Sequence, residues 1–502
     1  MENSSSGREL HSEHDHAPNR FAVLSTSERA GGAEGEGERL AGRGVTLAFV
    51  DSGFHPHPDI TQPANRVAAY HDVWDPGAVL SAVETPRADD WHGTQTCVAA
   101  AGNGFLSGGA YRGLACEARL VLVRVGRDGR VSEDGIARGL EWVLANRERH
   151  GIRVVSMSLG GDEDRPLAES RVNRLAEEAV AAGMVLVAAA GNSGCSERHR
   201  CLPPATAPSV IAVGGYDDRN DPERRRLQAY CSSFGVTADG LVKPEIIAPA
   251  MWIAAPILPG TETYARAEAL SRLAQTPDNR LRRTLLEIGP ELLGQPSAAA
   301  EDELETLRAR IDGRLRAEKI VAAHYQHVDG TSFAAPIAAS VVALMLEANP
   351  ALSPAAVRRI LLQTADRAGE LSAMRQGYGV LNPRAAIDAA RREAHGEAGG
   401  RAPRAGETTV RFAFHDDSAT RVEVAGDFNG WEASRCPLSR GGGGDWVVEV
   451  PLPPPGLYRY KLRVDGERWI ADPANALREP DPYGGFNSVL EVAPPPGSDP
   501  AR

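Results

Sequence analysis

From Gly44 onward, short unbroken apolar runs alternate with helical stretches, and this alternation restricts the fold more than any other feature of the chain. Residues 45–50, 120–125, 153–159, 184–190 and 210–213 read as strands. Residues 133–148 and 165–182 read as helices between them. Apolar strands without polar alternation are buried on both faces, and helical crossovers join them as parallel neighbours. An α/β domain with a parallel sheet flanked by helices is therefore expected. In such sheets the ligand site lies beyond the carboxyl ends of the strands. Asp51, Ser158 and Asn192 all fall at such ends.

A second feature is the stretch Val328-Asp329-Gly330-Thr331-Ser332-Phe333-Ala334-Ala335-Pro336, which delivers a serine onto a long apolar helical run, 334–346. Serine is a preferred helix cap. The same position lies beside unpaired backbone N–H groups and the positive end of the helix dipole, where an oxyanion forming next to a hydroxyl is favoured. These residues alone leave both roles open for Ser332.

The remaining composition narrows the setting. A chain of 502 residues, 42% hydrophobic and 24% charged, has room for about two to four domains and a large core. A net charge of −12 argues against nucleic acid or an anionic membrane as the main partner. No apolar run reaches the length of about 18 residues that a membrane span needs. The N-terminus is polar and lacks the basic and apolar regions of a secretory leader, so a tail over 1–43 is expected, with His11, His14 and His16 on it. Six cysteines (Cys97, Cys116, Cys195, Cys201, Cys231 and Cys436) are scattered without CxxC pairs, so no metal site is expected. Cys195 and Cys201 are near enough in sequence to pair, although nothing in the sequence shows that they do. A reducing cytoplasm is the expected location.

Residues 260–323 interrupt the alternation with Ala, Arg, Glu and Leu, and place Leu304, Leu307, Ile311 and Leu315 at roughly helical spacing. A helical insertion is expected, split near Gly289-Pro290 and Gln295-Pro296. It either packs on the main domain or forms a lid. Helices to about Asn349 and then to about Ala365 follow, the second capped by Ser353-Pro354. Residues 391–407 read as a polar linker. Short β segments from 408 to 493 read as an immunoglobulin-like all-β sandwich, with a disordered tail over 494–502.

Nucleophilic catalysis by a hydroxyl needs a general base within hydrogen-bond reach, and the base needs an orienting acid. Asp51 ends a buried strand, His92 opens an apolar helical run, and Ser332 opens another. Asp51-Ser52-Gly53, His92-Gly93-Thr94 and Gly330-Thr331-Ser332-Phe333-Ala334-Ala335-Pro336 resemble the three signatures of subtilisin-like serine proteases. Ser156-Met157-Ser158-Leu159-Gly160-Gly161 and Ala188-Ala189-Ala190-Gly191-Asn192 resemble that family's substrate wall and oxyanion loop. Lys243-Pro244-Glu245 and Gly377-Tyr378-Gly379 begin further family-like stretches. The resemblance covers 45–390 apart from the insertion. It implies a serine endopeptidase acting on peptide or protein substrates, with Ser332 as nucleophile, His92 as acid/base, Asp51 as orienting acid and Asn192 as oxyanion donor. Ser158, Leu159 and Gly160 would pair with the substrate backbone. Each tripeptide alone would be a turn or a cap; together, at strand ends and helix starts, they are specific.

The chain departs from the family after the histidine dipeptide, with Gln95, Thr96 and Cys97 in place of a second histidine and small residues. About 44 residues precede the first strand, which implies folding without a large propeptide. His57-Pro58-Asp59-Ile60 resembles a segment that supplies one calcium ligand in some members. The rest of that site is not recognisable over 102–112, so no cofactor is required and structural calcium is unsupported.

Beyond 408, Val424-Ala425-Gly426-Asp427-Phe428-Asn429-Gly430-Trp431 and Tyr458-Arg459-Tyr460-Lys461-Leu462-Arg463-Val464-Asp465-Gly466, with Trp469 and Asn487, resemble the glycogen- and starch-binding early-set domain beside glucan-branching enzymes. By that resemblance Trp431 and Trp469 stack on glucose rings while Lys461 and Asn487 bond hydroxyls of an α-glucan. The alternative is that both tryptophans are core residues. A rival to the whole reading is a silent peptidase domain serving as a glycogen-associated targeting protein.

Overall fold

The computed structural model describes residues 40–492 apart from 84, 198, 219–226, 294–302, 370, 395–408, 417, 442–444, 455, 473–474, 476–477 and 482–484. Residues 1–39 of the expected N-terminal tail, with its three histidines, the expected C-terminal tail and the Gln295-Pro296 break lie outside the described residues.

The apolar runs form strands β1 (Thr46–Asp51), β2 (Val67–Asp72), β3 (Arg119–Arg124), β4 (Ile152–Met157), β5 (Val185–Ala189), β6 (Ile211–Asp217) and β7 (Ile246–Pro249). They pair in the order β7-β6-β5-β4-β1-β3-β2, every neighbour parallel. One antiparallel edge strand, Gln228–Ala229, adds to β6. Residues 47–50, 120–123 and 185–188 are buried throughout, which is why these segments lack polar alternation.

Helices cover both faces. On one side lie α1 (Asp90–Ala101) and α7 (Thr331–Ala348); on the other lie α2 (Glu133–His150) and α3 (Arg171–Ala181). The structure starts α3 six residues later than expected, because Ser170 caps it by accepting the Asn173 N–H. Helix α7 is long and apolar enough to cross a membrane, yet it is the buried spine of this domain. Ile337, Val341, Leu344 and Met345 are each at most 2% exposed, and each such burial stabilises the fold by about 1.5–3 kcal/mol. The approach to α1 is close because α1 presents Ala99, Ala100 and Ala101. There the Ser340 hydroxyl reaches the Ala100 carbonyl at 3.1 Å.

The insertion forms α4 (Glu262–Gln275), α5 (Asp278–Ile288) and α6 (Leu304–Ala317) around a core of its own that includes Leu270, Leu285, Leu307 and Ile311. Of the spaced leucines, Leu307 is buried and Leu304 lies on the surface. Strands Ile253–Pro256 and Tyr325–Val328 pair antiparallel at its base, and the second leads directly to Gly330. Helix α9 (Pro383–Ala394), which follows α8 (Pro354–Thr364), continues four residues into the expected linker.

The C-terminal unit has two antiparallel sheets, one built on Thr409–His415 with Asp445–Pro451, the other on Val422–Gly426, Gly456–Val464 and Phe486–Val492. Phe412, Val424, Trp446, Tyr460 and Leu462 fill the space between them. Val489 packs into the peptidase core cluster, and the Arg367 guanidinium lies 4.9 Å from the Phe486 ring centroid.

Candidate active site

Asp51 closes β1 at its carboxyl end and is 2% exposed. His92 stands in the first turn of α1, and its Nδ1 lies 2.7 Å from Asp51 Oδ1. The same oxygen accepts the Ser52 N–H at 2.7 Å, while Oδ2 accepts the Thr96 hydroxyl at 3.0 Å. This approach depends on Gly93. A Cβ there would lie 2.3 Å from the Gly53 carbonyl oxygen and 2.9 Å from Asp51 Cβ, so any larger residue would push α1 off β1. Burial pulls the His92 pKa down, but the charge and hydrogen bond of Asp51 together outweigh it, and the imidazole titrates above its ordinary value.

Gly330 precedes α7 with φ 143°, a conformation suited to glycine, and its N–H donates to the Ala250 carbonyl at 2.7 Å. Ser332 therefore sits within the first turn of α7 and not at its cap, a correction to the capping alternative. Pro336 has no N–H to donate back to the Ser332 carbonyl. The Ser158 hydroxyl takes that place at 2.8 Å and ties the β4 edge to the serine turn. Phe333 stands beside the imidazole, ring centroids 6.3 Å apart. Among the described residues no hydrogen bond joins His92 to Ser332.

Asn192 follows β5. Its Oδ1 accepts the Thr331 N–H at 3.0 Å and the Thr331 hydroxyl at 2.9 Å. Both partners are donors, which assigns the oxygen and leaves the amide nitrogen on the other side, toward Gly330. Thr331 also accepts the Gly191 N–H at 3.1 Å. Sequence reasoning missed Thr331 and Thr96 as supports. For Thr96 the available signal was a hydroxyl one helical turn after His92, a weak one; Thr331, next to Ser332 in the chain and 139 residues from Asn192, carried none.

Ser158, Leu159 and Gly160 line a cavity of about 680 Å³ together with Ala189, Ala190, Gly191, Asn192 and Ser332. No residue of the helical insertion lines it.

The cysteine pairing that the sequence left open is decided here. Cys195 pairs with Cys231, Cα atoms 5.2 Å apart, and not with Cys201. The loop after Asn192 runs beside 231–233, where the Gly194 N–H donates to the Cys231 carbonyl, while Cys201 turns into the core and burial pushes its thiol up to about 12. Cys97 is likewise fully buried, its thiol also raised to about 12 by burial, so it cannot compete as a nucleophile. Asp59, the residue resembling a calcium ligand, is fully buried. Its Oδ2 accepts the Tyr325 hydroxyl at 2.7 Å and its Oδ1 the Leu106 N–H at 3.1 Å. With both oxygens engaged by protein donors, Asp59 does not fit a calcium ion. Among the described residues no three His, Cys, Asp or Glu side chains are grouped to hold a metal.

In the C-terminal unit, Lys461 and Arg463 alternate with the buried Tyr460, Leu462 and Val464 and so share the outer face of their strand. Trp469 pairs with Arg463 across the sheet, 41% exposed, with the guanidinium 5.7 Å from its ring centroid. The pairing of Tyr460 with Ser488, continued by one residue, sets Asn487 opposite Lys461. Trp431 occupies the turn after Val422–Gly426, its indole N–H donating to Asp427 at 2.9 Å. Neither tryptophan belongs to the sandwich core.

Residues 42–379 match the subtilase family of peptidases. The chain belongs to the subtilase family. Residues 399–483 match carbohydrate-binding module 48, the isoamylase N-terminal domain, so this subtilase carries such a module at its C-terminal side. Serine protease AprX of Bacillus subtilis is 31% identical over 371 residues, covering 72% of this chain and 71% of that protein. Subtilisin BL of Lederbergia lenta is 30% identical over 205 residues, covering 40% of this chain and 66% of that protein. A cold-adapted subtilisin-like serine proteinase aligns structurally with a TM-score of 0.41 at 19% identity, covering 73% of this chain and 97% of that one.

Proposed function

We propose that this subtilase is a serine endopeptidase that hydrolyses peptide bonds through an acyl-enzyme on Ser332. The observation that carries the reading is the 2.7 Å contact of His92 Nδ1 with the buried Asp51, made at a strand end facing the serine turn. In this reaction Ser332 Oγ attacks the scissile carbonyl carbon while His92 Nε2 takes its proton. Asp51 holds the Nδ1–H tautomer and stabilises the imidazolium as it forms. The tetrahedral oxyanion receives the Asn192 amide and the Ser332 backbone N–H. His92 then returns the proton to the leaving amine, and water repeats the sequence to release the acyl group. The edge 158–160 pairs with the substrate backbone as an added strand.

The test is labelling of the folded protein with a fluorophosphonate probe, together with casein hydrolysis. We expect labelling at Ser332 and a loss of about 10⁶-fold in kcat for Ser332→Ala. A folded protein that takes no label, with casein turnover unchanged in Ser332→Ala, sinks the reading.

The module is proposed to bind an α-glucan through Trp431, Lys461, Trp469 and Asn487, since exposed aromatic faces suit sugar C–H faces and polar tips suit hydroxyls. Cytoplasmic location also stays a proposal. Disulfides persist in oxidising compartments. Fractionation with thiol trapping decides it: a cytoplasmic pool should hold Cys195 and Cys231 as free thiols, whereas a bonded pair in an extracytoplasmic fraction overturns it.

A further inference from the structure

We infer that Lys319, at the end of the helical insertion, is a positioning residue for Ser332, and that the insertion serves the reaction by clamping the serine turn. This rests on the protease reading above and adds a residue to it.

The insertion returns to the main domain through a left-handed step. Helix α6 is capped at Glu318, and Lys319 follows with φ 55°, a conformation that glycine ordinarily supplies at a helix end. The Lys319 carbonyl accepts the His327 N–H at 2.7 Å, which fixes it against the strand Tyr325–Val328. Its ammonium reaches Oδ2 of Asp329, the residue directly before Gly330.

Asp329 is shared between two partners. Its Oδ1 accepts the Trp252 N–H at 2.8 Å. Trp252 is itself left-handed, with φ 57°, a strained conformation for so bulky a residue. Its indole is 1% exposed, with Lys319 Nζ 4.6 Å from the ring centroid and the His327 ring meeting it edge-on at 5.6 Å. The Trp252 carbonyl accepts from His327 Nδ1 at 2.7 Å. Backbone strain persists only where the surroundings over-determine it, and here Lys319 and Asp329 are among those surroundings. An exposed ion pair alone would do little. This one differs because the Asp329 side chain is 21% exposed and tied through its other oxygen to a strained residue.

The clamp ends on the serine turn. The Gly330 N–H donates to the Ala250 carbonyl at 2.7 Å and Val328 pairs with Ile253, so 250–253 grips the chain on both sides of Asp329. Thr331, whose N–H holds Asn192 at 3.0 Å, and then Ser332 follow at once. A rotation at Asp329 would move the nucleophile, its backbone N–H and the support of Asn192 together. All three act on the transition state, so the loss should fall on kcat and spare KM.

The experiment measures kcat and KM on a peptide substrate for the wild type, Lys319→Met and Lys319→Arg, each normalised to the serines titrated with a fluorophosphonate. Lys319→Met should lower kcat about tenfold, the scale of one charge-assisted hydrogen bond, with KM within about twofold. Lys319→Arg keeps the charge and can stack on the indole, so it should recover most of that loss. A merely structural lysine would lower the titrated fraction or the urea midpoint alone. Unchanged kcat per titrated serine in Lys319→Met therefore overturns the inference, as does a loss that Lys319→Arg leaves in full. If the wild type neither cleaves nor takes the label, the protease reading fails separately, and amide hydrogen exchange over 328–333 reads the clamp directly. Faster exchange there in Lys319→Met, with β5 unchanged, supports the clamp; identical exchange overturns it.

Discussion

Asp51, His92, Asn192 and Ser332 come from two strand ends and two helix starts, and three of them are fixed by contacts besides those between the four. Thr96 and the Ser52 N–H hold Asp51, Thr331 holds Asn192, and Ser158 holds the Ser332 carbonyl. By contrast, Lys461, Trp469 and Asn487 lie on neighbouring strands of one antiparallel sheet, and Trp431 sits at an adjoining turn. Their partners are local: Asp481 for Lys461, Arg463 for Trp469 and Asp427 for Trp431. The first arrangement stores its geometry in the domain core, which suits stabilising charge that develops during a reaction. The second offers an open face, which suits weak contacts to a flat ligand. Chemistry demands pre-organisation, whereas binding to an extended sugar surface tolerates adjustment.

The comparison can be broken in order of effect. Asn192→Ala should lower kcat by about 10²–10³-fold with KM little changed, a magnitude established for the corresponding donor of subtilisin. Thr331→Val, which removes the hydroxyl that Asn192 and the Gly191 N–H share, should cost roughly tenfold. Equal losses would mean that Thr331 does more than orient the amide.

Lys243→Met tests whether the core under the site is as rigid as this contrast requires. Lys243 is 1% exposed and donates to the Ala207 and Val210 carbonyls at 2.8 Å and to Glu245 at 2.6 Å. Removing it leaves the Ala207 and Val210 carbonyls without this donor and leaves Glu245 only the Arg358 guanidinium at 3.2 Å and the Ala212 N–H at 2.8 Å, so urea unfolding should show a loss of about 2–3 kcal/mol. The specific activity of the folded fraction should be retained.

The pH profile gives a smaller effect with a definite sign. His92 must be neutral to act as a base and its pKa is raised, so kcat/KM should rise through a midpoint above about 6.5. Protonated His92 adds stability below its unfolded pKa, and that contribution is lost as pH rises through the folded value. Asp51→Asn should move the midpoint down; a limb that stays in place would detach His92 from it.

The smallest changes belong to the open face. Trp469→Ala and Trp431→Ala should each weaken retention on glycogen beads by about 1–2 kcal/mol, with folding intact because neither ring is in the core. Equal retention of both variants removes them from a glucan site.

Much of this molecule was legible because its strands are short and apolar on both faces, a pattern only a parallel sheet with helical cover satisfies. The alternation placed Asp51 and Asn192 at carboxyl ends, and the glycine-led turn placed Ser332 at a helix start. Capping placed the later helices well, whereas α3 began late because Ser170, and not an earlier residue, offered its hydroxyl. The cysteine partner was not legible, since sequence proximity favoured Cys201 while the pairing depends on two loops 36 residues apart meeting. Thr96, Thr331 and the charge lining the cavity were equally hidden. By itself the sequence determined which residue types stand at strand ends and helix starts, because backbone periodicity and turn chemistry are local. Only the tertiary structure decided which carboxylate oxygen meets which hydroxyl, and which acidic residues line one cavity. Those contacts join segments far apart in the chain and depend on packing to within a fraction of an ångström.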